Sequence, residues 1–142
     1  QAERSIVRWD ARKKGGPQAR WRRILLAAMK QSRRATLPVL GPVADSDALT
    51  EEVRQAVANG SLVLICHESA TESIRAVLEA GTVGECSAIM VVVGPEGGIT
   101  DGELASLVEA GGKPVRLGPH ILRSASAGPA ALAIANVLAG RW

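Results

Sequence analysis

Residues 89–98 read IMVVVGPEGG, an unbroken apolar run that ends in a glycine-rich loop. Such a run is typical of a strand that is buried on both faces, as in a parallel sheet covered by helices. Residues 62–65, which read LVLI, form a second run of the same kind. Because parallel strands are joined by helical crossovers, the two runs predict an α/β fold with a parallel sheet flanked by helices.

The chain around these runs alternates predicted strands with predicted helices. From residue 62 onward we predict strand 62–66, helix 72–80, strand 88–93, helix 101–110, strand 115–117 and helix 127–138. Upstream we predict strand 5–9, a basic amphipathic helix over 18–31 and a helix over 46–58. Thr100 and Glu103 form a capping-box pattern at the start of a helix. The length and apolar content favour one domain over residues 1–142.

Three loops, residues 67–70, 94–98 and 118–123, follow the ends of predicted strands. Ligands of open parallel sheets bind at the carboxyl ends of the strands. The glycines of the 94–98 loop would let main-chain groups approach a ligand closely. Taken alone, this loop is also typical of an ordinary turn. Neither GxGxxG nor GxxxxGK[ST] occurs, which argues against a Rossmann dehydrogenase and a nucleotide triphosphatase.

Positive charge is concentrated at the start of the chain. The net charge is +3, but residues 1–34 contain eleven Lys or Arg against two acidic residues, whereas the remainder contains six basic and twelve acidic residues. A cluster of this kind is typical of a protein that binds a polyanion. We predict RNA phosphate contacts from Arg20, Arg22, Arg23, Arg33 and Arg34. A solvated helix face or a basic arm is the alternative interpretation.

Composition excludes several other classes. No apolar stretch is long enough to span a membrane, and residues 1–4 do not resemble a signal peptide, so we expect a soluble cytoplasmic protein. Cys66 and Cys86 have neither CxxC spacing nor a flanking His cluster, which predicts buried thiols and no metal site. Three Trp with no Phe or Tyr argue against the aromatic stacking platforms of single-strand RNA binders.

Two late motifs, VGPEGGIT at 93–100 with Glu103 and LGPHILRS at 117–124, precede an Ala-rich last helix. Together they resemble the RsmE family of the SPOUT superfamily. Residues 3–5, 20–21, 28, 31–33 and 38 are similar to the first half of the same catalytic domain, so the resemblance covers essentially the whole chain.

The resemblance implies S-adenosylmethionine-dependent methylation of N3 of a uridine in 16S ribosomal RNA of the small subunit. It also implies a deep trefoil knot in a cofactor-binding half at about 61–142, after the basic segment 1–34. A homodimer whose interface completes the active site is a further implication. Family members carry a PUA-like RNA-binding domain before the catalytic domain, and this chain is expected to begin after it.

The resemblance also implies site residues. Cofactor contacts in the superfamily are largely main-chain, which assigns S-adenosylmethionine binding to Gly94, Gly98, Leu117, Gly118, Ile121 and Leu122. From the chemistry of methyl transfer, our hypothesis is that Arg123 stabilises the negative charge that develops on uracil as N3 loses its proton; a surface or dimer salt bridge is the alternative. Glu96 could orient substrate, contact the cofactor or accept a proton, or it could cap a turn or pair with a partner subunit.

Two features leave the chemistry open. His67 and His120 lie at the presumed site edge, but a lone His is more often structural, so neither is assigned a catalytic role. Family members commonly carry an acidic residue two places after the Arg, whereas this chain has Ala125, which leaves the proton acceptor unassigned. Ala125 favours a rival interpretation, a non-catalytic RNA-binding module of SPOUT fold. A second alternative is a SPOUT methyltransferase that acts on transfer RNA or on a ribose 2′-oxygen.

Overall fold

The structure is a computed structural model that describes residues 2–6, 16–82 and 86–142. Along the chain its elements are α1 (Gly16–Gln31), α2 (Ser46–Ala58), β1 (Leu62–Cys66), α3 (Ile74–Val77), a π-helical turn (Leu78–Thr82), β2 (Ile89–Val93), α4 (Asp101–Glu109), β3 (Lys113–Val115) and α5 (Ser124–Leu138). The described residues fall into two compact units. The first is 16–44, with α1, and the second is 2–6 together with 45–82 and 86–142, which contains the sheet. The prediction of a single domain stays a prediction.

The three strands form one parallel sheet in the order β2-β1-β3. Pairing aligns the last residues of all three strands, because Cys66 lies opposite Val93 on one side and Val115 on the other. The predicted α/β class with a parallel sheet flanked by helices is therefore confirmed. The aligned carboxyl ends also place the loops that follow the strands at one edge of the sheet.

The central strand β1 is buried on both faces. Leu62 and Leu64 pack into one cluster with residues of α3 and α5. Val63 and Ile65 point to the opposite face and pack against residues of α2 and α4. Successive side chains of β1 point to opposite faces of the sheet, and an apolar layer covers each face. Its first four residues are therefore all buried, which is why the strand is a continuous apolar run in the sequence.

Most of the predicted helices are confirmed. The predicted helix 46–58 matches α2, the predicted helix 18–31 begins two residues earlier as α1, and the capping box of Thr100 and Glu103 starts α4. Residues 7–9 of the predicted strand 5–9 lie outside the described residues. Its first two residues form no strand, and Ser5 N–H donates instead to Ala2 O at 3.1 Å.

Two predicted boundaries were wrong, and both errors have the same cause. The strand predicted at 115–117 is Lys113–Val115, and the helix predicted at 72–80 begins at Ile74. Arg116 N–H donates to Glu72 O at 2.8 Å, and Ile74 N–H donates to Arg116 O at 2.9 Å. These bonds form an isolated parallel bridge between Ser73 and Arg116, outside β3, and Ser73 is the extended N-cap residue, so the helix begins only at Ile74. The second half of the predicted helix is a π-helical turn, a form that is uncommon and difficult to read from apolar spacing.

The last helix starts at Ser124, three residues before the predicted start at 127. Gly128 and Pro129 both disfavour a helix interior, yet α5 includes them. Packing compensates, because α5 buries Ala127, Ala131 and Ala135. Across the parts of the chain that the structure describes, no helix is long and apolar enough to cross a membrane.

Candidate functional site

The loops at the carboxyl edge of the sheet enclose a cavity of about 720 Å³, here called the main cavity. Its lining consists of residues 66–68, 93–99, 121–125 and 127. A volume of this size is within the range of small-molecule and cofactor sites. The edge predicted from the parallel strands therefore does carry a ligand-sized cavity.

A smaller cavity of about 210 Å³, the side cavity, adjoins the main cavity. It is lined by residues 66–68, 116–122 and 127, so that residues 66–68, 121–122 and 127 line both cavities. Of the predicted site residues, six line the main cavity: Gly94, Glu96, Gly98, Ile121, Leu122 and Arg123. Leu117 and Gly118 line only the side cavity, as does His120. The structure thus brings the predicted residues to one place, and their roles stay predictions.

The loop 94–98 is shaped by its glycines. Gly98 N–H donates to Pro95 O at 2.9 Å, which closes a turn with Glu96 at its outer end. Gly98 has φ +78°, in the left-handed region that favours glycine. A Cβ at Gly94 would lie 2.8 Å from Ile99 Cγ1. Side chains are therefore disfavoured at both ends of the loop, and its main chain borders the cavity directly.

His67 is a buried polar residue that connects two walls of the main cavity. Ser69 N–H donates to its Nδ1 at 3.3 Å, and Ser69 Oγ lies 2.8 Å from the same nitrogen. Because Nδ1 accepts from a main-chain N–H, the neutral ring carries its proton on Nε2, which lies 3.5 Å from Ile99 O. Both ring nitrogens are engaged, so His67 holds the loop after β2 against the end of β1.

Arg123 lies where the main cavity meets the amino end of α5. It is the N-cap residue, and its main-chain carbonyl accepts from Ser126 N–H and Ala127 N–H at 2.8 and 3.0 Å. Its exposed guanidinium has no hydrogen-bonding or ionic partner within the described ranges. The helix amino end adds partial positive charge at the same place. This corner of the cavity is suited to an anion or to developing negative charge.

The main cavity contains two carboxylates, Glu68 and Glu96, and both are exposed. Ala125 lines the same cavity and supplies no acid. Sequence reasoning gave Glu68 no role, although its place directly after the end of β1 was the available signal. Burial raises the pKa of the Cys66 thiol, so Cys66 is protonated near neutral pH and forms part of the apolar wall. No group of three or more potential metal ligands occurs among the residues that the structure covers.

Glu103 is the most heavily hydrogen-bonded side chain near the site. Its Oε1 accepts from Glu3 N–H at 2.9 Å and from Ser46 Oγ–H at 2.5 Å. Its Oε2 accepts from Thr100 N–H at 3.0 Å and from Thr100 Oγ1–H at 3.2 Å. Partial burial alone would raise the pKa of Glu103, but these donors together lower it to about 2.

The low pKa of Glu103 is expected to make stability depend on pH in the acid range. The folded state holds the carboxylate ionised, so its contribution is complete above the ordinary pKa of 4.5 and is lost as the pH falls toward about 2. We expect the free energy of unfolding to fall by about 1–2 kcal/mol over this window through Glu103, after allowance for solvent screening. Urea unfolding between pH 2.5 and 6 measures it. Glu103→Gln should flatten this slope, and equal slopes in the two proteins would contradict the assignment.

The predicted RNA-binding residues of α1 and of the segment after it are exposed; all of them belong to the unit 16–44. Arg20, Arg22 and Arg23 are exposed along the helix, and Arg33 and Arg34 follow its end. Arg33 has φ +54°, and Arg34 N–H donates to Met29 O at 3.1 Å, so these residues close the helix. The side chains of all five are free to meet a polyanion, while RNA contact itself stays a prediction.

Comparisons with known proteins agree with this geometry. Residues 1–136 match the model of the family described as RNA methyltransferase domain. The chain is 42% identical over 142 residues to ribosomal RNA small subunit methyltransferase E of Mycobacterium bovis, covering 100% of the chain and 53% of that protein. The same-named protein of Bacillus subtilis is 31% identical over 129 residues, covering 89% and 49%. The chain spans about half the length of these curated relatives.

A solved structure shows the same fold. The structure of a ribosomal RNA small subunit methyltransferase E from Neisseria gonorrhoeae, bound to S-adenosylmethionine, is similar with a TM-score of 0.76 and 33% identity. The similarity covers 96% of this chain and 52% of that chain.

Proposed function

The chain belongs to the RNA methyltransferase domain family, the family of the RsmE proteins, and on that premise we propose that it methylates N3 of a uridine in 16S ribosomal RNA. The methyl donor in this proposal is S-adenosylmethionine. The observation that carries the proposal is the main cavity, in which the loop 94–98 lies across from residues 121–123. The methyl-donor-bound relative from Neisseria gonorrhoeae supports it.

The cofactor would be held mainly by main chain and by apolar walls. Gly94 and Gly98 leave the loop backbone uncovered, and Leu117 with Gly118 extends the wall into the side cavity. Ile121 is 82% exposed and Leu122 is 42% exposed. Large apolar side chains exposed at a cavity are typical of a surface that a ligand covers. When bound, the cofactor supplies an electrophilic methyl group on a sulfonium.

The protein's own residues would lower the barrier by positioning and by electrostatics. Methyl transfer to N3 requires the loss of the N3 proton, which spreads negative charge onto the uracil carbonyl oxygens. Arg123 and the amino end of α5 lie where they can stabilise that charge. Because Ala125 cannot accept a proton, the acceptor is proposed to be Glu96, with Glu68 as the other carboxylate of the same cavity.

The finer structural features implied by the family belong to the same proposal. A trefoil knot in the half at about 61–142 stays a prediction from the family. A homodimer is supported by Leu132 and Val137, apolar residues of α5 that remain about half exposed. A cytoplasmic location stays a prediction.

Two measurements test the proposed function. Isothermal titration of the full-length protein with S-adenosylmethionine is expected to show binding, and loss of the gene is expected to remove one uridine-N3 methyl group from 16S RNA in mass spectra. Absence of binding would favour the non-catalytic RNA-binding module. A lost methyl group on transfer RNA or on a ribose 2′-oxygen would favour the other SPOUT activity.

The basic helix provides a separate prediction about RNA binding. Replacing Arg20, Arg22 and Arg23 together by Gln is expected to reduce the slope of log affinity against log salt by about 2 to 3, since each phosphate contact contributes about 0.7–0.9. Filter binding to small-subunit RNA at several salt concentrations measures the slope. The control variant replaces Arg54 and Arg75 by Gln, because both side chains are exposed and belong to the other compact unit. Equal slopes for the two variants would show that α1 does not contact phosphates.

A further inference from the structure

The segment of residues 2–6 packs against the loop 94–98, and both belong to the compact unit that contains the sheet. Arg4 Nη1 donates to Gly97 O at 3.4 Å. A Cβ on Gly97 would lie 2.8 Å from Arg4 Cβ and 2.8 Å from Arg4 O. The absence of a side chain at Gly97 therefore allows this close contact between the two backbones.

Glu103 is hydrogen-bonded to the same segment, residues 2–6. Its Oε1 accepts from Glu3 N–H and from Ser46 Oγ–H, while its Oε2 accepts from Thr100 N–H in the capping box of α4. One carboxylate therefore connects three parts of the chain: residues 2–6, the start of α2 and the start of α4. The loop 94–98 leads into α4 through Ile99 and Thr100, so its position is tied to this cluster.

The loop is thus held at two points. His67 Nε2, at the end of β1, lies 3.5 Å from Ile99 O, and residues 2–6 contact Gly97. Between these supports, the turn exposes Glu96 and the main chain of Gly94 and Gly98 to the main cavity. Small displacements of groups that bind or orient substrates have large effects on rates.

We infer that residues 2–6 act as a strap that holds the loop 94–98 in its methyl-transfer geometry, and that Glu103 is the positioning residue that fastens the strap. The inference deepens the proposed function and rests on it. Glu103 does not line the main cavity, so it acts through the loop and has no direct contact with cofactor or RNA in this role.

A pair of glycine substitutions in the full-length protein tests the strap. Gly97→Ala places a methyl group against Arg4, whereas a Cβ at Gly102 has no neighbour within 4 Å. Gly97→Ala is expected to raise KM for S-adenosylmethionine by about tenfold or more, because a displaced loop moves its main-chain groups away from the positions that bind the cofactor. Gly102→Ala is expected to leave KM and kcat at the wild-type values. A merely structural effect would lower the active fraction, and hence the apparent kcat, without a change in KM.

A second variant separates the strap from the helix cap. Gln is as suitable as Glu in a capping box, but its amide has a single acceptor oxygen. Glu103→Gln can therefore keep the bond from Thr100 N–H only by turning its amide nitrogen toward Glu3 N–H, which loses the bond to Glu3, whereas the Ser46 hydroxyl can turn and accept from the amide. We expect it to raise KM for S-adenosylmethionine about as much as Gly97→Ala does.

Hydrogen exchange supplies a readout that needs no activity. The amide of Gly98, bonded to Pro95 O, should exchange faster in Gly97→Ala and in Glu103→Gln than in the wild type or in Gly102→Ala. Unchanged exchange in both variants would refute the strap, and faster exchange with unchanged KM would refute its positioning role. A wild-type protein without methyl transfer would overturn the proposed function, while the exchange measurement would still decide the strap.

Discussion

Arg123→Ala is expected to lower kcat for methyl transfer by about 10²- to 10³-fold and to leave the Kd for S-adenosylmethionine within about threefold of wild type. Arg123 is the N-cap residue of α5 and lines the main cavity, and its side chain has no hydrogen-bonding or ionic partner within the described residues. Negative charge on the uracil oxygens appears only as N3 loses its proton. An interaction with that charge therefore acts in the transition state more than in the ground state.

Single-turnover kinetics with small-subunit RNA measures the rate, and isothermal titration measures cofactor affinity. Arg123→Lys should recover part of the rate, because it retains the charge without the planar donor geometry. Arg75→Ala is the matched control, since Arg75 is exposed and paired with Glu79 on the neighbouring π-helical turn. If Arg123→Ala turned over at the wild-type rate, the residue would be a surface cation and the electrostatic role would be lost.

The sequence predicted the central part of the fold because burial on both faces leaves a direct signal. β1 and β2 are continuous apolar runs, and the parallel-strand rule then placed the loops that follow them at one edge. β3 was misplaced because it is short and contains Pro114, and because its end is set by hydrogen bonds to Glu72 and Ile74. Such bonds join residues that are far apart in sequence and have no local pattern.

The sequence also selected site residues that the structure brings together, and the roles of these residues stay predictions. The motif resemblance selected Gly94, Gly98 and residues 121–123, and the structure places all of them around one cavity. The family comparisons confirm that resemblance. The contacts of Glu3 and Arg4 with Glu103 and Gly97 were not foreseen, because they arise from tertiary packing. Glu103 was interpreted as a helix cap and as part of the family motif, and the cap accounts for two of its four side-chain hydrogen bonds.

Ala125 has a different meaning once the cavity is known. From sequence it favoured a domain without catalysis, since the family's acid is missing. In the structure it lines a cavity that still contains Glu68 and Glu96, together with Arg123 and the amino end of a helix. Two carboxylates in the cavity are therefore candidates to accept the proton. Ala125 in place of the family's acidic residue does not by itself argue for an inactive protein.

Leu64→Ala is expected to lower the free energy of unfolding by about 2–5 kcal/mol, a large part of the 5–15 kcal/mol of a typical domain. Leu64 is 0% exposed on the central strand, in the cluster with Ile74 and Ala131. Small neighbours such as Ala131 cannot fill the space that the Leu side chain leaves, so the full cost of a cavity is expected. Cys66 ends the same strand and His67 follows it directly, so their place in the cavity wall depends on that strand.

Urea unfolding at one fixed protein concentration measures the effect, since self-association would otherwise add to the apparent stability. Leu26→Ala is the matched control: it makes the same chemical change at a residue of α1 that is 40% exposed, and it is expected to cost less than about 1 kcal/mol. If both substitutions cost the same, β1 would not be the centre of the core. A large loss at Leu64 alone would locate the stability of the fold in the strand that supports the site.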